Sequence, residues 1–253
     1  MPLEQVLVLL VAAAGAGWID AVVGGGGLLQ LPAVMMTGMP TVEAMATNKL
    51  SSVFGTTSAA VAYARSTKVD RQVAVPGAAL AAVSAGLGAW AAAAVSAEVL
   101  RPAVMVVLLA VAAFVTLRPG LGVLPEPRLR TDRRVLAAVA TAGVGIAFYD
   151  GIMGPGTGTF LIIAFTTILG MDFVSASASA KIINIGTNLG ALAVFAAQGH
   201  VQWVLGLGMA VCNVAGAQFG ARMALKRGTG FVRIVLLCVV AAMVVRLGWQ
   251  QFG

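Results

Sequence analysis

The chain is short of charge. Only 10% of its 253 residues are Asp, Glu, Lys or Arg, against roughly 25% in an average soluble domain. That deficit excludes an ordinary globule surrounded by water, which needs charged residues to make its surface. Histidine is almost absent. His200 is the only one, it sits in a turn-like stretch, and without a Ser or Cys partner it is poor material for catalysis. Cysteine is limited to Cys212 and Cys238, both inside apolar stretches. Two such thiols suggest neither a disulfide framework nor a zinc site, and they read as small packing residues. Acidic residues are also few, nine against sixteen Lys and Arg. In a soluble chain the resulting +7 would point towards nucleic acid. Here the arginines cluster in short loops between apolar runs, so nucleic acid is set aside and membrane topology explains them.

What the chain has in abundance is apolar material, 60% of the sequence with a mean hydropathy of +0.97. The runs recur from Leu7 to the C-terminus and leave no stretch for a soluble domain. The expected class is an all-α polytopic membrane protein. The opening "MPLEQVLVLLVAAAGAG" has the apolar core of a signal peptide but carries Glu4 where a basic region belongs. It reads as a retained first helix.

The sequence repeats itself. "GMPTVEAMATNKL" (38–50) aligns with "GMDFVSASASAKI" (170–182) at an offset of 132, which pairs Gly38 with Gly170, Met39 with Met171 and Lys49 with Lys181. The same offset takes Gly24 to Gly156, Gly26 to Gly158 and Arg101 to Arg233, whereas Asp20 and Asp150 are related at 130. Two residues are therefore expected as an insertion between Asp150 and the second glycine cluster. Each half reads as five apolar segments: 3–22, 27–38, 45–64, 72–95 and 99–117, then 135–152, 158–170, 177–198, 202–222 and 231–249. A spanning helix needs about 20 residues. The second segment of each half has about a dozen, which suits one arm of a broken or re-entrant hairpin bent at the glycines.

Loop charge gives an orientation. "RSTKVDR" (65–71), "RPGLGVLPEPRLRTDRR" (118–134) and "RMALKRGTGFVR" (222–233) are basic and read as cytoplasmic, whereas "QGHVQ" (198–202) has no Lys or Arg and reads as external. Equivalent loops thus fall on opposite sides, as an odd number of segments per half requires, and both termini fall outside. The expected organisation is a membrane repeat at 1–117, an arginine-rich cytoplasmic linker at 118–134 and a second repeat of inverted topology at 135–253. Inverted repeats with discontinuous helices are a transporter architecture, with sites expected near the midplane.

"GWIDAVVGGGGLLQLPAVMMTGMPTVEAMATNKLSS" resembles the first-half signature of the TauE/SafE family of sulfite and organosulfonate permeases, and "GIMGPGTGTFLIIAFTTILGMDFVSASASAKIINIGTN" is similar to its second-half counterpart. The likeness spans nearly the whole chain. It implies movement of small sulfur-containing anions across a bacterial inner membrane, by alternating access at a site between the repeats. The second half departs from a plain glycine run at Pro155 and Thr157, which weakens any glycine-by-glycine carry-over there.

The polar residues at membrane depth come in matched sets. Gly24, Gly25, Gly26 and Gly27 precede one short helix, and Gly154, Gly156 and Gly158 precede the other. Glycines leave backbone N–H groups uncovered, and a helix N-terminus carries about half a positive charge. Two such ends facing each other would hold an anion, with Thr157 and Thr159 adding hydroxyls. The alternative is that the glycines only let helices approach closely. Lys49, with Asn48, Ser51 and Ser52 nearby, and Lys181, with Asn184, Thr187 and Asn188 nearby, either attract substrate, snorkel to the interface or form structural pairs with Asp. Asp20 and Asp150 are candidate proton carriers if transport is coupled, or the partners of those lysines. Gln30 is placed to hydrogen-bond between helices, while Asn213 and Gln218 are weaker candidates and Met35, Met36 and Met39 read as packing.

The leading expectation is a permease for sulfite or organosulfonates, with no cofactor, no metal site and no enzymatic activity. Its partners would be the anion, the bilayer and, as a candidate coupling ion, protons. The alternatives are another small cargo, such as an amino acid or metal ion, and a non-transporting accessory membrane subunit.

Overall fold

The computed structural model describes residues 1–92 and 124–252, and the expected fifth segment at 99–117, with Arg101 of the repeat, lies outside them. Every described element is helical. The first half supplies α1 (Leu3–Val23), α2 (Gly27–Met35), α3 (Thr41–Ser66) and α4 (Arg71–Ala91). After a single 3-10 turn at Pro127–Leu129 come α5 (Asp132–Ile152), α6 (Thr157–Leu169), α7 (Phe173–Ala197) and α8 (Trp203–Phe252). Among the described residues five helices are long and apolar enough to cross a membrane: α1, α4, α5, α7 and the Trp203–Val239 part of α8. α8 joins the two expected segments 202–222 and 231–249 through a break at Gly228, where φ is 72° and ψ is −166°.

The short helices begin where the glycines predicted a bend. α1 stops at Gly24, whose φ of 78° lets its N–H cap the helix by bonding the Asp20 carbonyl. That left-handed geometry is strained for any residue with a Cβ. α5 stops before Met153, and two left-handed glycines, Gly154 and Gly156, turn the chain into α6. The two bends are alike in register. Asp20, Gly24 and the first α2 residue Gly27 stand at i, i+4 and i+7, as do Asp150, Gly154 and the first α6 residue Thr157. Up to the helix starts the offset is therefore 130, and it becomes 132 only at the left-handed pair Gly38 and Gly170. The expected insertion between Asp150 and the second glycine cluster is corrected accordingly: it lies beyond the bend, where α6 has 13 residues against nine in α2.

Helices of one half pack mainly on helices of the other. α1 lies along α8, α3 also meets α8, and α4 lies along α5 and α7. The α1–α8 and α4–α5 seams are made by small residues. A Cβ on Gly17 would overlap the Asn213 carbonyl of α8, and one on Gly151 would overlap the Ala85 carbonyl of α4. Close backbone approach of this kind replaces the hydrophobic driving force that lipid cannot supply. The described part of the linker is fastened at several points. Glu126 N–H bonds the Gly170 carbonyl at 2.7 Å, and Arg130 grips both carboxylate oxygens of Asp70 at the start of α4.

Candidate functional site

The polar residues of α3 and α7 fall on helical faces. Asn48, Lys49, Ser52 and Thr56 lie one to eight residues apart along α3, and Lys181, Asn184 and Asn188 lie at i, i+3 and i+7 along α7. Such spacings stack side chains on one side of a helix. At the repeat offset of 132, Ser52 matches Asn184 and Thr56 matches Asn188. Between these two stripes and the two glycine bends lies a polar cavity of about 20 Å³, room for about one water. Its floor and walls come from Asp20, Gly24 and Gly27, from Asp150, Gly154 and Thr157, and from Asn48, Lys49, Ser52, Asn184 and Asn188. The N-terminal residues of both short helices thus reach the same space.

The charges cross between the halves. Lys49 of α3 pairs with Asp150 of α5 at 2.5 Å, and both are buried. Lys181 of α7 pairs with Asp20 of α1 at 3.1 Å and also donates to the Asp20 backbone carbonyl. Lysines at repeat-related positions therefore hold aspartates at repeat-related positions, each in the opposite half. The Asp150 carboxylate also accepts from the Thr157 hydroxyl at 2.6 Å, and Asp20 accepts from the Thr56 hydroxyl at 3.1 Å. The first pair is the more enclosed, with 3% exposure at both side chains against 15% at Asp20. With two ammonium and two carboxylate groups the network is formally neutral. One acceptor in it is idle: Asn48 Oδ1 is buried with no hydrogen-bond partner. A buried polar group left unpaired carries a desolvation cost of about 1–3 kcal/mol, which a water or a ligand in the cavity would relieve.

Some expected site residues stand elsewhere. Thr159 is fully buried and donates to the Val23 carbonyl at 2.8 Å, so it ties α6 to the end of α1 instead of facing the cavity. Gly158 touches the Gly24 backbone, so the two bends meet directly. Gly26 packs against α1 at Ala16 and Asp20, Gly25 faces Val239 and Leu28, and Gly156 caps α6. Lys181 reaches the cavity only through Asp20. Thr56, which donates to Asp20, is the addition, and the signal that finds it is its helical spacing from Lys49.

A second polar contact holds α2 in place. Gln30, fully buried, accepts from Asn213 Nδ2 of α8 at 2.8 Å, as expected for a residue bonding between helices. Asn213→Leu leaves the Gln30 amide without this partner. It is expected to lower stability by about 1–3 kcal/mol, read as a drop in the melting midpoint of the purified protein, and Gln30→Leu/Asn213→Leu is expected to recover part of it.

A family model described as "Sulfite exporter TauE/SafE" matches residues 9–247. The chain is 38% identical over 241 residues to "Probable membrane transporter protein ORF9" of Sinorhizobium sp, covering 94% of this chain and 90% of that protein. It is 35% identical over 246 residues to "Probable membrane transporter protein YfcA" of Escherichia coli K12, covering 97% and 90%. A "Probable membrane transporter protein" of Haemophilus influenzae is 32% identical over 241 residues, covering 94% and 93%. No solved structure gives a significant match.

Proposed function

Because the chain belongs to the sulfite exporter TauE/SafE family of membrane transporters, we propose that it is a permease for small sulfur-containing anions, sulfite or organosulfonates, in a bacterial inner membrane. The observation that carries this reading is the polar cavity where the N-terminal residues of α2 and α6 meet beside Lys49. Helix N-termini attract anions through unpaired N–H groups and the helix dipole. Asn48, Ser52, Asn184 and Asn188 supply neutral hydrogen-bonding groups that orient an oxyanion. In this reading the halves are inverted repeats, and rocking at the two glycine bends opens the cavity to one side and then the other.

Charge balance supplies the coupling. The ammonium groups of Lys49 and Lys181 are already matched by Asp150 and Asp20. An anion entering alone would leave a buried negative charge uncompensated, which is costly at low dielectric. For a singly charged anion, hydrogensulfite or an organosulfonate, a proton taken up by one aspartate releases its lysine for the anion and keeps the site neutral, so anion and proton move together. Asp20, the more exposed of the two carboxylates, is the one we assign to proton entry.

The test uses purified protein against sulfite, sulfate, thiosulfate, an organosulfonate, an amino acid and a divalent metal ion. A ligand at about 100 times its Kd stabilises the folded state by about 2.7 kcal/mol. A raised melting midpoint with at least one sulfur oxyanion is expected, together with proton influx accompanying its flux in proteoliposomes. A response confined to the amino acid or the metal ion would assign another cargo, and no flux of any of them would favour an accessory subunit.

A further inference from the structure

A second cavity lies away from the central one, at the junction of α3, α4 and α7. It measures about 550 Å³ and is lined by Ala64, Val69, Ala74, Val75 and Ile182 on its apolar side and by Lys68 and Arg71 on its charged side. Lys68 stands in the short connection between Ser66 at the end of α3 and Arg71 at the start of α4. α4 is a spanning helix by length and composition, so Arg71 marks the level where such a helix leaves the hydrocarbon.

The electrostatics of this corner are unbalanced. The carboxylate between the two cations, Asp70, is engaged by the Arg130 guanidinium at 3.0 Å through two nitrogens, and caps α4 through Gln72 N–H. The side chains of Lys68 and Arg71 have no hydrogen bond or ion pair with any described residue, nor has that of Arg65, the residue before the last of α3. Two uncompensated cations therefore stand at the rim of an apolar groove that opens where a helix meets the membrane surface. Val75, one turn into α4, is 61% exposed and extends the apolar wall along the helix.

We propose that this cavity binds an anionic phospholipid, with the headgroup phosphate between Lys68 and Arg71 and an acyl chain along Val69, Val75 and Ile182. An arginine suits a phosphodiester because its planar donors match two phosphate oxygens at once. The adjoining apolar wall is the part that a free phosphate would not use and a lipid would. Basic residues beside spanning helices are attracted to anionic lipid. Because Ile182 follows Lys181 on α7, a lipid seated here touches the helix that carries one of the two central lysines. The site does not depend on which ion the protein carries.

The experiment is native mass spectrometry of the full chain released from detergent with added phosphatidylglycerol, phosphatidylcholine or inorganic phosphate. Wild-type protein is expected to retain one phosphatidylglycerol, and Lys68→Ala/Arg71→Ala to retain at least fivefold less. Lys68→Arg/Arg71→Lys and the exposed control Arg133→Ala are expected to retain it as wild type does. Equal retention of phosphatidylcholine would reduce the cavity to a nonspecific groove and overturn the proposal. So would displacement of the lipid by inorganic phosphate at similar concentration, or unchanged retention in the double variant. Circular dichroism of the double variant separates lost binding from lost folding, and if it is unfolded, Arg71→Gln alone is read in its place.

Discussion

Lys49→Met is expected to abolish transport and to lower the stability of the folded protein by about 3–5 kcal/mol. The reason is Asp150. With Lys49 gone, its carboxylate stays 2% exposed and keeps the Thr157 hydroxyl at 2.6 Å as its side-chain partner. Removing one member of a buried ion pair strands the other, whereas removing both is often close to neutral. Lys49→Met/Asp150→Asn is therefore expected to recover most of the lost stability and none of the flux, because the cation proposed to receive the anion is still missing. A double-mutant cycle on melting midpoints measures the coupling, and anion uptake into proteoliposomes measures the function. Near-normal flux in Lys49→Met would remove the lysine from the mechanism. Lys181→Met should cost less, since its partner Asp20 is 15% exposed and holds Thr56 as a second partner.

The pairing itself shows where sequence reading stops. Lysines 132 residues apart and aspartates 130 residues apart are plain in the text of the chain. That each lysine pairs in the opposite half is not, because it depends on α3 reaching α5 and α7 reaching α1, and helix packing leaves no periodic trace in composition. The bends were legible for a local reason: few residues other than glycine take a φ of 78° or 87° without strain. Their register was not, because one glycine aligns as well with the next. The triplet Asp–Gly–Gly at 20, 24 and 27 matches Asp–Gly–Thr at 150, 154 and 157 only once the helix starts are known. Thr159 misled for the same reason. Two threonines two residues apart in the first turn of α6 point to different sides, one to Asp150 and the other to the Val23 carbonyl. Ser52 was legible beside Lys49, and Thr56 could have been found, since it lies at a helical spacing from Lys49 and at the repeat offset from Asn188.

The glycines at the first bend divide into those that let the protein assemble and one that leaves its cavity open, and alanine separates them. Gly24→Ala is expected to be severe. Its φ is 78°, and the added Cβ would overlap the Gly158 backbone and stand 2.8 Å from Thr159 N. Left-handed strain of about 1–2 kcal/mol adds to overpacking of about 1–3 kcal/mol, and backbone cannot rotate away as a side chain can. Gly38→Ala is the control for strain alone, because its φ is 84° with nothing within 4 Å of the new methyl. Gly27→Ala is the informative case. Its Cβ would meet Pro155 Cα at 3.7 Å and Asn48 Nδ2 at 3.8 Å, ordinary contacts, and alanine is the better helix former of the two. The folded protein should be as stable as wild type or slightly more so. Yet the methyl enters the cavity between the start of α2 and Asn48, where an oxyanion would meet the helix amides. Flux is expected to fall by about tenfold or more, the equivalent of about 1.4 kcal/mol in transition-state free energy, with the melting midpoint unchanged or raised. A Gly27→Ala protein that folds and transports normally would mean that the anion does not approach the start of α2, and the cavity would then owe its polarity to the two ion pairs alone.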